Sequence, residues 1–239
     1  MGITRGQPTD IDLLAQKISN DVEDMKAVFT DVFSLDVDDP LRFDLDFLDV
    51  RLITEFKDYH GVNVSIMAYL DRTRIPISID IGFGDVIVPE RVMMDFPVIL
   101  SDENPHVYVY SLCSSVAEKF EAIVSLAYDN SRLKDYYDLY VLATTHDFNG
   151  DEIVEAVRET FENRHSSLNE IVAFEKGFAD NPLRQTRWNA FVKKKKALLP
   201  ITLQETIEMI QKFMLPVANA VLSNSKFDAS WSHEQQNWL

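Results

Sequence analysis

The chain has 239 residues, 46% of them hydrophobic and 26% charged, which excludes a disordered or fibrous protein and indicates a globular one. Asp and Glu number 39 against 23 Lys and Arg, and the net charge of −16 argues against general adhesion to nucleic acids or acidic membranes. The single cysteine cannot form an internal disulfide, and the first residues do not form a secretory leader, so a reducing, cytoplasmic location is expected. No apolar run approaches the roughly 18 residues of a membrane span, so no membrane partner is expected.

The first half of the chain combines one helical segment with several extended ones. Apolar residues recur at helical spacing over 21–33, where Asp21 and Glu23 suit a helix N-terminus. A short polar link predicts a hairpin between the second and third extended segments. Strands are predicted where β-branched or alternating apolar residues cluster, over 41–56, 62–70, 74–83 and 107–110.

The second half has the periodicity of amphipathic helices. Helices are predicted over 116–128, 131–146, 150–164 and 202–222. The last of these should kink or break at Pro216, because proline removes a backbone hydrogen bond and crowds the preceding turn. The sequence therefore predicts an α+β fold, with a mixed β-sheet and helices in a domain over 1–110 and a helical domain over 111–239.

Paired acids near the start of the chain are the first candidate site. Asp10 and Asp12 would share one face of a strand, where two carboxylates can hold a divalent cation. Magnesium suits such a pair, because it completes its coordination with water and substrate phosphates. The spacing alone is also compatible with solvated surface acids, since the same pattern occurs at Asp36/Asp38 and Asp44/Asp46.

A later acid occupies a predicted strand. Asp80 lies among isoleucines that alternate along 75–81, so its side chain should point to the opposite face from theirs. Gly82 and Gly84 follow and permit tight backbone geometry, which suits either the close approach of a ligand or an ordinary strand-ending turn.

Charged residues on the predicted helices over 116–128 and 131–146 form a third candidate. A lysine there could contact a nucleotide phosphate, while Asp135 fixes its rotamer or acts as an acid or base. Ordinary surface ion pairs on a helix are the alternative. The charged residues are Lys119, Arg132, Lys134, Asp135 and Asp138.

One basic segment, 183–196, contains no acid and includes Trp188 and Phe191. Cations interleaved with aromatic residues can bind phosphates and stack bases, although a short lysine run is also typical of solvated surface. The candidate nucleic-acid contacts are Arg184, Arg187, Lys193, Lys194, Lys195 and Lys196.

The chain resembles the AbiEii/AbiGii toxin family, within the DNA polymerase beta-like nucleotidyltransferase superfamily. The resemblance rests on the order of three stretches and continues from about Arg5 to near the end of the chain. These stretches are DIDLL (10–14), IPISIDIGFGD (75–85) and VAEKFEAIVSLAYDNSRLKDYYDL (116–139).

The resemblance implies roles for individual residues. Asp10 and Asp12 would bind the catalytic metal ions with help from Asp80, and Lys119 and Asp135 would serve from the helical half. Arg132, Lys134 and Asp138 are further candidates for nucleotide binding. The implied reaction is Mg²⁺-dependent transfer of a nucleoside monophosphate from an NTP to an acceptor such as tRNA.

The same resemblance implies a toxin of a toxin–antitoxin or phage-defence system, with a cognate AbiEi-like antitoxin as partner. The family carries a Gly-Gly or Gly-Ser turn on a helix before the paired aspartates, and Gly2 and Gly6 do not form it. One alternative is therefore a catalytically inactive, truncated copy that acts only as an antitoxin- or RNA-binding module. A metal-dependent phosphohydrolase that uses the same acids is another.

Overall fold

A computed structural model describes residues 11–37, 40–53, 61–84, 87–98, 104–195 and 201–239, with only the backbone described for Lys195. The chain forms two compact units, Met1–Asp85 and Val86–Leu239. The boundary between the two units comes earlier in the chain than residue 110, where the strand pattern of the sequence gives way to a helical one. The short strand over 106–109 belongs to the second unit, although its residues have the strand pattern of the first half.

A mixed four-stranded sheet forms the first unit, as the sequence predicts. Its strands are β1 (Ile11–Ala15), β2 (Leu41–Ile53), β3 (Gly61–Leu70) and β4 (Thr73–Phe83). Their order in the sheet is β1-β4-β3-β2, with β1 parallel to β4 and the other pairs antiparallel. The β3–β4 hairpin turns where the sequence places its polar link, and Gly84 follows β4 with a positive φ of 83°.

Helix α1 (Val22–Phe33) covers one face of this sheet. Asp21 caps it by accepting hydrogen bonds from the backbone amides of Glu23 and Asp24, which satisfies donors that lack a partner within the helix. Met25 and Phe29 are buried against alternate residues of β3 and β4. The period of two along the strands therefore leaves the intervening polar residues on the other face.

The second unit has a helical core. Its strands are β5 (Val92–Asp95), β6 (His106–Val109), β7 (Phe148–Asn149), β8 (Ser230–Ser232) and β9 (Asn237–Trp238). Its helices are α2 (Leu112–Leu126), α3 (Leu133–Thr145), α4 (Gly150–Asn163), α5 (Pro182–Lys195) and α6 (Leu203–Leu222). The predicted helices correspond to α2, α3, α4 and α6, whereas α5 has no prediction. Among the described residues, no helix is both long and apolar enough to cross a membrane.

Helix α6 runs without interruption through Pro216, so of the predicted kink or break the structure excludes the break. Buried residues on both sides of the proline, Met214 and Val217 among them, hold the helix in the core and outweigh the missing hydrogen bond. Its first turn is fixed by a capping box in which Thr202 and Glu205 exchange hydrogen bonds.

The C-terminal segment closes the second unit with a three-stranded sheet, β7-β8-β9. The Trp231 indole donates to the carbonyl of Ala143, and the Trp238 indole donates to that of Phe213. Gly150 lets the start of α4 lie close to the backbone near Phe227, since a Cβ at position 150 would be 2.3 Å from the carbonyl oxygen of Phe227. Strands this short carry little periodicity, which is why sequence patterns miss them.

Candidate active site

Two predicted site residues meet on the face of the first unit's sheet that lies opposite α1. Asp12 of β1 and Asp80 of β4 are direct partners in the parallel register. Laterally paired residues project to the same face, so the two carboxylates stand on adjacent strands that are about 4.8 Å apart. Asp12 is exposed and Asp80 half-buried, while Ile79 and Ile81 fill the core on the opposite face.

Asn63 of β3 extends this row to a third strand. It is the antiparallel partner of Asp80, and its Nδ2 donates to Asp80 Oδ1 at 2.6 Å. The same nitrogen donates to Ser78 Oγ at 2.8 Å. Sequence reasoning did not identify Asn63, although the alternation of buried valines at 62 and 64 places it on the polar face; only the strand register shows that it faces Asp80.

The oxygen donors of this row fit a hard divalent cation such as Mg²⁺. Asp10, the third acid of the predicted set, lies outside the described residues. Within the residues that the structure describes, no three His, Cys, Asp or Glu side chains converge to hold a metal ion. The described part of the site therefore consists of two adjacent carboxylates and the amide that contacts one of them.

A second charged cluster lies in the second unit, between α2 and α3. Lys119 Nζ of α2 lies 2.8 Å from Asp138 Oδ2 and 3.8 Å from Asp135 Oδ1. Arg132 Nε donates to Asp135 Oδ2 at 2.7 Å. Four of the five predicted residues are thus brought together, whereas Lys134 is exposed and has no ion pair within the described residues.

Burial distinguishes these ion pairs from ordinary surface pairs. The Asp135 side chain is only 3% exposed, and those of Lys119 and Arg132 are 24% and 53% exposed. A buried carboxylate needs compensating charge, which the two cations provide. Asn130 fixes the start of α3, because its Oδ1 accepts from the Arg132 backbone amide and its Nδ2 donates to the Ala122 carbonyl.

The basic segment of the sequence proves to be helix α5, whose aromatic residues belong to the core. Trp188 is fully buried and donates its indole N–H to the Ile201 carbonyl, while Phe191 packs edge-on against Tyr137. The buried Trp188 ring is therefore not available to stack on nucleic-acid bases, while the Phe191 ring is partly buried. Arg184 is also engaged, since it lies over the Phe178 ring at 4.1 Å.

Cations nevertheless remain on the outer side of α5. Arg187, Lys193 and Lys194 are exposed there, and the helix extends to Lys195. Lys196 lies outside the described residues. These exposed cations thus differ from Arg184, which packs on the Phe178 ring within the fold.

Cysteine chemistry does not compete with this assignment. Burial raises the pKa of the Cys113 thiol to about 12, so the group stays protonated at neutral pH. A protonated, buried thiol is a poor nucleophile.

A comparison with known protein families agrees with the resemblance seen in the sequence. Residues 8–212 match the family described as "Nucleotidyl transferase AbiEii toxin, Type IV TA system". A search of curated proteins gives no significant match. Two solved structures are distantly similar, each at 14% identity and a TM-score of 0.45.

Both solved structures come from Helicobacter pylori. One is JHP933, with 93% of this chain and 80% of that chain aligned. The other is a candidate nucleotidyltransferase, with 95% of this chain and 84% of that chain aligned. The family match, in contrast, includes the paired acids and the charged cluster between α2 and α3. The chain therefore belongs to the AbiEii family of nucleotidyltransferase toxins from type IV toxin–antitoxin systems.

Proposed function

We propose that the protein transfers a nucleoside monophosphate from an NTP to an acceptor hydroxyl in a Mg²⁺-dependent reaction. The acceptor oxygen forms a bond to the α-phosphorus, the bond from that phosphorus to the bridging oxygen breaks, and pyrophosphate leaves. The hydroxyl proton passes to solvent or to a nearby base. The pairing of Asp12 with Asp80 on the face of the sheet opposite α1 carries this proposal.

Asp12 and Asp80, together with Asp10, are the proposed metal ligands. Their oxygens suit Mg²⁺, and the exposure of Asp12 leaves room for substrate oxygens beside it. Mg²⁺ held there would offset the negative charge that develops on the phosphate oxygens.

The proposed nucleotide contacts in the second unit are Lys119 and Arg132. Their charges suit a triphosphate, and the half-exposed guanidinium of Arg132 is accessible to one. Asp135 and Asp138 already contact these cations, so the geometry favours Asp135 as the group that orients them. The alternative role of Asp135 as an acid or base requires that it exchange these ion pairs for the acceptor.

For the acceptor we propose tRNA, bound in part by Arg187, Lys193 and Lys194 on α5. The chain as a whole is strongly acidic, so a polyanion must be bound at such a local concentration of positive charge. The type IV family implies a protein antitoxin as the second partner, and an AbiEi-like protein is the proposed one.

The decisive experiment measures transfer of label from α-³²P NTPs to a tRNA pool in the presence of Mg²⁺. We expect transfer by the wild-type chain and a loss of at least about 100-fold in Asp12→Asn and in Asp80→Asn, since each change removes a ligand charge. The matched control is Asp46→Asn, which removes an exposed acid from β2 of the same sheet.

Three outcomes would contradict the proposal. Equal transfer in the wild type and Asp12→Asn would show that the acids are not catalytic. Release of inorganic phosphate without incorporation would indicate a phosphohydrolase. Binding of tRNA or antitoxin that is unaffected by Asp12→Asn, with no transfer under any condition, would indicate an inactive binding module.

The α5 proposal has its own test in tRNA binding. The double variant Lys193→Ala/Lys194→Ala should weaken binding and flatten its dependence on salt, because fewer phosphate contacts release fewer counterions. Lys176→Ala, which removes an exposed lysine from the same unit, is the control. Equal salt dependence in both variants would place the tRNA elsewhere.

A further inference from the structure

We propose that Asn63 is a positioning residue, which holds the Asp80 carboxylate in the orientation that binds the metal ion. This inference rests on the proposed function of the acidic row. It assigns a role to a side chain that was not among the residues implicated by the sequence.

The contacts of Asn63 are specific to this role. Its Nδ2 donates at 2.6 Å to Asp80 Oδ1 and at 2.8 Å to Ser78 Oγ. The acceptors lie two residues apart on β4, on the same face of the strand. The amide is therefore anchored at Ser78 while it restrains the Asp80 carboxylate.

A neutral amide is a better hydrogen-bond partner than a cation for a carboxylate that must bind a metal ion. Asp80 stands beside Asp12, and like charges on adjacent strands repel each other. A lysine or arginine at position 63 would reduce that repulsion but would also neutralise the charge that attracts a cation. The neutral donor of Asn63 fixes one carboxylate oxygen and leaves the negative charge of the pair in place.

The location of Asn63 argues against a role in packing. It lies on a central strand between Val62 and Val64, which are fully buried on the other face. Asparagine is disfavoured in strands, so its presence there runs against local preference. Departures of this kind are concentrated at functional positions.

The test measures Mn²⁺ binding to the full chain by electron paramagnetic resonance, with Mn²⁺ as the probe for the Mg²⁺ site. We expect Asn63→Ala to raise the Kd for Mn²⁺ about 10-fold, which is typical when a partner of a ligand is removed. Asn63→Leu retains bulk and should behave alike, so an unstable alanine variant would not prevent the test. Ser65→Ala, which changes the next side chain on the same face of the same strand, should leave the Kd unchanged.

Activity provides a second readout. If transfer occurs, Asn63→Ala should raise the Mg²⁺ concentration for half-maximal rate by about the same factor, with kcat at saturating Mg²⁺ within about twofold of wild type. A purely structural change would instead lower the fraction of active protein without altering the Mg²⁺ requirement.

The outcomes separate this inference from the proposed function. An unchanged Kd in both Asn63 variants would overturn the positioning role even if nucleotide transfer is confirmed. Weaker Mn²⁺ binding in the variants, with no transfer by the wild type, would support the positioning role and reject the activity. If the wild type does not bind Mn²⁺, or binds it equally well after Asp12→Asn, both the positioning role and the proposed function are overturned.

Discussion

Asp135 is a buried carboxylate whose two neighbours, Lys119 and Arg132, come from different parts of the chain. Lys119 belongs to α2, and Arg132 immediately precedes α3. The ion pairs of Lys119 therefore tie α2 to α3, and both cations are proposed phosphate contacts. Removal of the carboxylate should affect both the stability and the order of the two cations.

The stability effect is testable with Asp135→Asn. We expect the free energy of unfolding to fall by about 3 kcal/mol, the lower end for breaking a buried ion pair, because Arg132 is half-exposed and can regain water. Urea denaturation measures the change, and Asp129→Asn, at an exposed acid just before this region, is the control. Equal losses in the two variants would show that burial of Asp135 has no special weight.

Substitution of the two lysines near Asp135, Lys119 and Lys134, should have different effects on NTP binding. Lys119 is held beside Asp138 and Asp135, whereas Lys134 points to solvent. Lys119→Met should therefore raise the KM for NTP by at least about 10-fold, as expected when a charge-assisted contact is lost. Lys134→Met should change it less than about twofold. Steady-state kinetics with each variant measure the KM. A larger increase in Lys134→Met than in Lys119→Met would make Lys134 the lysine that contacts the nucleotide.

At the scale of elements, the C-terminal segment is attached through exposed carboxylates, Asp147 among them, in addition to its tryptophans. Asp147 Oδ1 accepts from the backbone amide of His233 at 2.8 Å and contacts His233 Nδ1 at 2.7 Å. The backbone hydrogen bond, followed by the histidine side chain, lowers the pKa of Asp147 from its ordinary value of 3.8. Asp147, just before β7, is thereby linked to His233, just after β8.

This attachment should be sensitive to acid. A lowered folded-state pKa contributes stability that is fully present above 3.8 and is lost as the pH falls through the folded-state value. The difference in unfolding free energy between the wild type and Asp147→Asn should therefore shrink as the pH is lowered from about 6 to about 3. Urea titrations across this range measure it.

A control identifies the source of that pH dependence. Asp228→Asn removes an exposed acid from the same terminal segment and should show no comparable trend. A difference between the wild type and Asp147→Asn that stays constant down to the lowest pH would mean that Asp147 is not held by His233 in solution.

At the scale of the whole molecule, the two units differ in how they bury apolar surface. The first buries one face of a sheet beneath α1, while the second builds a continuous core from α2, α3, α4 and α6. A core of this kind in a segment of roughly 150 residues is sufficient for independent folding.

We therefore expect the fragment 86–239 to fold on its own. Its far-ultraviolet circular dichroism should show helical structure, and urea should unfold it in one cooperative transition. The intact chain under the same conditions is the control. A fragment without a cooperative transition would show that the second unit depends on the first.

Periodicity predicted the elements with strong patterns, and the reason is physical. The isoleucines of β4 alternate because one face of the sheet is buried, which also places Asp80 on the opposite face. The stripes of α2, α3 and α4 reflect helices that each bury one side. Helix α5 lacked such a stripe, because only a few of its residues, Trp188 among them, enter the core.

Side-chain partners followed patterns less closely. The sequence listed Lys134 among the candidates beside Asp135, but adjacent residues on a helix point in different directions. Asp135 instead contacts Arg132, three residues earlier, and Lys119 of another helix. Trp188 looked available for base stacking because it lies in a basic segment, yet its ring is buried. Adjacency in the sequence was therefore a poor guide to which side chains meet.

The sequence by itself determined the helices and strands with strong patterns, the family and the identity of the charged residues, since these depend on composition, periodicity and ordered motifs. Only the tertiary structure decided which of those residues meet. The parallel pairing of β1 with β4 places Asp12 beside Asp80, and the antiparallel pairing of β3 with β4 brings Asn63 to the same carboxylate. Strand register arises from long-range pairing, and a shift of one residue would move every side chain to the other face.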